Sequence, residues 1–166
     1  MPDHKIRQVE VARLSIVSAK PFDEVIRRIE AAVGRPEMAA FRGQIAAAKT
    51  EKELRRAVED AAGSSGLIEF ARFDLGEVLS KEKGKSTRCL RLVIGNPLIM
   101  KELVARVPDA GSYAPVTLLI DERADGVHLS YDTMSSVLDS YRNAEAAKIA
   151  RELDAKVLAL LEFAAR

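Results

Sequence analysis

The sequence has little of what covalent and metal chemistry usually needs. Cys89 is its only cysteine, so no disulfide can form within the chain, and a cysteine-ligated zinc would have to draw its other ligands from elsewhere. That usage fits a reducing compartment. The only histidines are His4 and His128, too few for a three-histidine zinc site, and neither stands in a His-Glu-x-x-His spacing. No Gly-x-Ser-x-Gly elbow presents a nucleophilic serine, and nothing in the sequence ties Cys89 to a base. Apolar runs never approach the ~20 residues of a membrane span. The first eleven residues carry Asp3, His4, Lys5, Arg7 and Glu10 where a secretory signal needs an apolar stretch. Nor does one charge dominate: 26 Lys and Arg stand against 25 Asp and Glu, a formal net charge of +1, so the basic surplus of a nucleic-acid-binding protein is missing. These absences lead to the expectation of a cytoplasmic protein with no cofactor, no nucleic acid and no membrane among its partners.

What is present is ordinary globular material. At 166 residues, 48% hydrophobic and 31% charged, the chain is long enough for one core that needs no disulfide or metal to hold it. Residues 12–19, with Leu14, Ile16 and Val17, suit a first strand, and Lys20-Pro21 opens a helix whose buried face is Val25, Ile26, Ile29 and Val33. From about 35 to 66 the apolar residues keep a helical period. Pro36 restarts a helix through Phe41 and Ile45, and Thr50 with Glu53 forms a capping-box pattern ahead of Leu54, Ala57 and Val58. Gly63-Ser64-Ser65-Gly66 ends this helical pair.

Residues 67–73 and 87–94 alternate apolar with polar side chains, as half-buried strands do, with a short helical turn around Leu75, Val78 and Leu79 between them. Asn96-Pro97 reads as N-cap and first helical position, and Asp125-Gly126 supplies the positive φ angles of a tight hairpin between 116–121 and 127–131. Asn143 caps a long terminal helix bearing Leu153, Val157, Leu160 and Leu161. Strands and helices do not alternate regularly. The expected fold class is therefore α+β, an antiparallel-dominated sheet with helices packed on one face.

Several motifs invite chemistry and lose to plainer readings. Gly84-Lys85-Ser86-Thr87 resembles the end of a phosphate loop, but Leu79 replaces the required leading glycine and a strand follows in place of a helix. Lys81, Lys83, Lys85, Arg88 and Arg91 form the densest positive stretch, within which Arg91 shares a strand face with Cys89 and Val93 and is worth checking as an anion contact. Asp74, Glu77, Asp121 and Asp132 are acids at strand ends, where carboxylates usually cap turns, and no pair among them is selected as acid and base.

The run Ile94-Gly95-Asn96-Pro97-Leu98-Ile99-Met100, followed by Tyr113-Ala114-Pro115-Val116 and by Asp125-Gly126 ahead of Ser130-Tyr131-Asp132, resembles the domain-of-unknown-function 302 family, as does the upstream Phe73-Asp74. The resemblance covers the first strand and helix and residues 67 to the C-terminus. It implies a TATA-binding-protein-like fold in a single copy, often a homodimer, in which the helical pair at 35–66 is an insertion. It implies no activity. Some members carry a histidine directly after the aspartate that matches Asp74, whereas here Leu75 stands there, so no role of that histidine transfers.

The helix start at Asn96 and Pro97 offers free backbone amides, the best generic anion site that the sequence displays. Arg91 from the preceding strand is expected to add a charge-assisted bond, and Tyr113 and Tyr131 to close the site. The leading functional expectation is a non-catalytic small-ligand-binding or assembly domain, a homodimer because the helical pair and terminal helix bring more apolar residues than one small sheet covers. Two alternatives stand beside it: an enzyme acting on a small anionic substrate through Arg91, Asn96, Tyr131 and Asp132 or His128, and a haem or metal carrier through His128.

Overall fold

The computed structural model describes residues 4–82 and 87–166. Lys83, Gly84, Lys85 and Ser86, which hold most of the phosphate-loop-like motif, lie outside the described residues. The first strand, β1 (Arg13–Ser18), leads through Pro21 into α1 (Phe22–Ala32), where Asp23 and Glu24 occupy the first turn and favour the positive helix end. The helical pair follows as α2 (Met38–Ala47) and α3 (Glu51–Ala61). Its second member starts as its sequence dictates: the Glu53 N–H donates to Thr50 Oγ1 at 3.2 Å, while the Lys49 N–H donates to Glu53 Oε2 at 2.7 Å.

The two ends of the pair meet backbone on backbone. A Cβ on Gly34 would lie 1.9 Å from the Ala61 carbonyl oxygen, and one on Gly63 would lie 2.2 Å from that of Ala32, so only glycine allows the approach. Between them the pair covers its own apolar face. Phe41, Val58 and Ile68 are buried together, Phe70 and Leu98 pack against them, and the Phe41 and Phe70 rings lie 6.5 Å apart. The apolar residues of the helical pair are thus covered by the chain itself, whereas Phe163 of the terminal helix stays 47% exposed.

The rest of the sheet comprises β2 (Ile68–Asp74), β3 (Cys89–Gly95), β4 (Val116–Arg123) and β5 (Gly126–Asp132), in the order β1-β5-β4-β3-β2 and antiparallel throughout. A one-turn helix, α4 (Leu75–Leu79), capped by Asp74, follows β2, and its Val78 is 69% exposed. Between β3 and β4 run α5 (Pro97–Arg106) and a 3-10 turn (Pro108–Ser112). The hairpin between β4 and β5 turns over Ala124 and Asp125, with Gly126 at φ 138. The chain ends in α6 (Met134–Asp139) and α7 (Ala144–Ala165), the latter capped by Asn143 Oδ1, which accepts from the Ala146 N–H at 2.9 Å.

One side of the sheet is covered and the other is not. Leu90, Leu92, Ile94, Leu118, Ile120, Leu129 and Tyr131 are buried against Val25 and Ile29 of α1, Leu103 of α5 and Leu153, Val157 and Leu161 of α7. At about 25 cal/mol per Å2, full burial of each such aliphatic side chain contributes roughly 1.5–3 kcal/mol, which makes this layer the main source of stability. The side chains between them along β3 and β4, Cys89, Arg91, Val93, Thr117, Leu119 and Asp121, face away from the helices and belong to no core cluster.

Candidate cleft on the helix-free face

Strand alternation decides which candidate side chains can meet. Phe73, Arg91, Leu119, Ser130 and Ser15 stand side by side across the helix-free face through the pairings of β2, β3, β4, β5 and β1. The neighbouring row runs from Ala71 through Val93 and Thr117 to Asp132 and Arg13. Where this row ends, the segment 111–115, which contains the cis Ala114-Pro115 peptide, meets Val11 and the α6 residues Met134 and Val137. Together they wall a cleft of about 370 Å3 lined also by Arg91, Val93, Thr117 and Asp132.

The charges on this face are mostly satisfied within the chain. Arg13 clamps Asp132 with two bonds, Nε to Oδ1 at 2.6 Å and Nη2 to Oδ2 at 2.8 Å, and those bonds hold the Asp132 carboxyl below its ordinary range. Arg123 donates to Asp121 through Nε at 2.5 Å and Nη2 at 3.2 Å, and Asp125 Oδ1 lies 2.8 Å from His128 Nε2. On the covered side Arg72 bonds Glu69 and Glu30. Arg91 differs from these other strand arginines. It is exposed, its guanidinium lies 5.7 Å from the centroid of the Phe73 ring, and no carboxylate among the described residues holds it. The hydroxyls of Ser112, Tyr113 and Thr117 likewise keep no protein partner among the described residues, so the cleft presents donors and one free cation.

The expected five-residue site is divided by this geometry. Arg91 and Tyr113 share the cleft, whereas Asn96 and Pro97 belong to the opposite, helix-covered side, because Ile94 and Gly95 are buried and lead the chain into the helix layer. Asn96 Oδ1 accepts from the Leu98 N–H at 2.9 Å and Nδ2 donates to the Gly66 carbonyl at 2.9 Å, so its amide fastens β3 to the loop after α3. Leu98 then enters the core of the helical pair. Tyr131 is 1% exposed on the covered side, where its hydroxyl donates to Asp154 Oδ1 at 2.6 Å. Burial, followed by that bond, pushes its phenol far above the ordinary range, so it reaches no solute in the cleft.

Of the four acids named from the sequence, three are likewise occupied: Asp74 caps α4, Asp121 meets Arg123 and Asp132 meets Arg13, while Glu77 sits in α4 and donates its backbone N–H to Asp74. Among the described residues no group of three or more His, Cys, Asp and Glu side chains is arranged to hold a metal ion, and no helix is long and apolar enough to cross a membrane. Sequence reasoning missed Thr117 and Ser112. Alternation along β4 after Pro115 was the available signal for Thr117. Asp154 gave none, since the groups that it binds lie some twenty residues away at the start of α6.

A five-stranded antiparallel sheet covered by helices on one side and bare on the other defines a two-layer α+β protein. The family model described as "Domain of unknown function DUF302" matches residues 44–164, and the chain belongs to that family. The match begins within α2, so α3 lies inside it. The chain is similar to a solved protein, an uncharacterized conserved DUF302 protein from Bacillus stearothermophilus, with a TM-score of 0.64 over 93% of this chain and 98% of that one. At 14% identity the likeness is one of fold. The comparison with curated proteins found no match.

Proposed function

We propose that this protein is a non-catalytic binding domain, a homodimer formed through the helix-free face of its sheet, which holds a small anionic molecule in the cleft at the rim of that face. The observation that carries the reading is Arg91, a guanidinium lining a cleft with no carboxylate partner among the described residues while the other strand arginines are paired. A guanidinium that no carboxylate among the described residues holds, in a cleft shared with the hydroxyl-bearing Ser112, Tyr113 and Thr117, is ready to donate charge-assisted bonds to an anionic ligand.

The second copy as occupant of the face is supported by its charge pattern. Arg13 with Asp132, Arg123 with Asp121 and His128 with Asp125 are pairs closed within one chain, and Val17, Val93 and Leu119 lie between them. When two identical faces approach about a two-fold axis, the Arg–Asp pairs oppose no net charge, and the bound anion neutralises Arg91, the unpaired cation beside Leu119. Sedimentation equilibrium at micromolar concentration, with Leu119→Glu alongside, tests the assembly. A dimer that Leu119→Glu converts to a monomer is expected. A wild-type monomer, or a dimer indifferent to the substitution, refutes the assembly. A thermal-shift screen of metabolites tests binding, because a ligand of the native state raises the midpoint by mass action.

A further inference from the structure

We infer that the ligand of the rim cleft is a small monocarboxylate with a compact apolar body, an inference that rests on the binding reading above and names its chemical class. Charge selects the monoanion. Among the described residues Arg91 is the single uncompensated cation lining the cleft, because the Arg13 guanidinium is already neutralised by Asp132. A dianionic phosphate would meet one free positive charge and, on the same wall, the Asp132 carboxylate; a carboxylate needs only the one cation and matches the planar guanidinium fork with its two oxygens. The guanidinium also lies 5.7 Å from the centroid of the Phe73 ring, within reach of a cation–π contact.

The walls select the rest of the molecule. Val11, Val93, Met134 and Val137 offer hydrocarbon, and the described residues place no free carboxylate in the cleft to receive an amino group. The hydroxyls of Ser112, Tyr113 and Thr117 can donate to a second oxygen or a ligand hydroxyl. A cleft of about 370 Å3 lies near the lower end of the usual range for small-molecule sites, so the apolar body has few carbons.

The test is two-dimensional amide NMR on the intact protein with 4-methylpentanoate, its neutral amide 4-methylpentanamide, and inorganic phosphate as separate probes. The carboxylate is expected to shift the amides of Val93, Thr117 and Tyr113 saturably, with a Kd of about 1 mM. Loss of the guanidinium in Arg91→Met should weaken it about tenfold or more, and Arg91→Lys should fall between. The exposed position of Arg91 leaves the fold intact in both variants, which their undisturbed core amides will report. Phosphate binding at least as tightly as the carboxylate, carboxylate binding unaffected by Arg91→Met, or no saturable shift with the carboxylate would each overturn the inference. The neutral amide separates the two readings: if it binds as well as the carboxylate, the cleft is a binding site but not an acid site. If no probe binds and the metabolite screen is also silent, the binding reading itself falls.

Discussion

Asn96 is the residue where one side chain holds most together, and its removal has a calculable cost. Its Oδ1 takes the Leu98 N–H at the start of α5, while its Nδ2 supplies the Gly66 carbonyl, whose residue sits at φ 74 in the loop that returns from the helical pair. Asn96→Ala removes the cap, worth about 1 kcal/mol. It also leaves the half-buried Gly66 carbonyl without its donor, which costs about 1 kcal/mol more. The expected loss is therefore about 2 kcal/mol, larger than an isolated cap would give.

Asn96→Asp separates the two contributions. It keeps the acceptor and places a negative charge at the helix N-terminus, where the dipole favours it, but it has no hydrogen to offer Gly66. It should lose about half as much as alanine. Urea unfolding followed by circular dichroism measures both, and with a slope of about 2 kcal/mol/M the alanine midpoint should move by about 1 M. If alanine moves the midpoint by less than a quarter of that, or if aspartate costs as much as alanine, the double role argued for Asn96 is wrong.

Tyr131 predicts how stability changes in alkali. Burial and the bond to Asp154 raise its folded-state pKa, so above the unfolded value of about 10 the native state holds a proton that the unfolded state has lost, and stability must fall as pH rises through that region. Tyr131→Phe should cost about 1–2 kcal/mol at neutral pH yet flatten the decline above pH 10, measured as urea midpoints across pH; an unchanged slope would contradict the assignment. Cys89 predicts a reactivity: burial first, and then the charges of Asp121 and Asp74, raise its thiol pKa. Labelling by a disulfide reagent at pH 8 should therefore be slower than for a free thiol and faster in Asp121→Asn, and fast labelling of the wild type would count against this account.

The elements that the sequence displays plainly are those specified by a few adjacent residues. Asn96-Pro97 starts α5, Thr50 with Glu53 starts α3, Asn143 starts α7 and Asp125-Gly126 turns the β4–β5 hairpin, each through bonds spanning no more than a few positions. Strand order is different in kind. β1 pairs with β5 through Ser15 and Ser130, residues 115 apart along the chain, and neither serine carries a local mark of the other. The helical pair shows the same divide: its helices are legible from period and caps, but the partners that bury Phe41 and Val58 include Ile68 on the next strand and Leu98 on α5, and only the folded arrangement reveals that they suffice. The helical pair therefore keeps its own apolar face covered, and the side of the sheet without helices is the far one.

The candidate site was half legible for a related reason. Alternation puts Arg91 with Cys89 and Val93 whichever way the strand faces, but the opposite set, Leu90, Leu92 and Ile94, differs from it in degree and not in kind, since Cys89 and Val93 are also apolar. The more hydrophobic set goes under the helices, and that choice sends Arg91 outward, away from the helix start only five residues later. Asn96 and Arg91 look like neighbours in sequence because their separation is short; an odd step along a strand followed by a turn into the helix layer puts them on opposite sides of the sheet. Arg91 therefore cannot share an anion with the amides of α5. Its partners are whatever the adjoining strands and the loop before β4 bring to the bare face, which is how Thr117, Tyr113 and Ser112 become its neighbours and why the chemistry of the cleft depends on a strand order that no stretch of the sequence spells out.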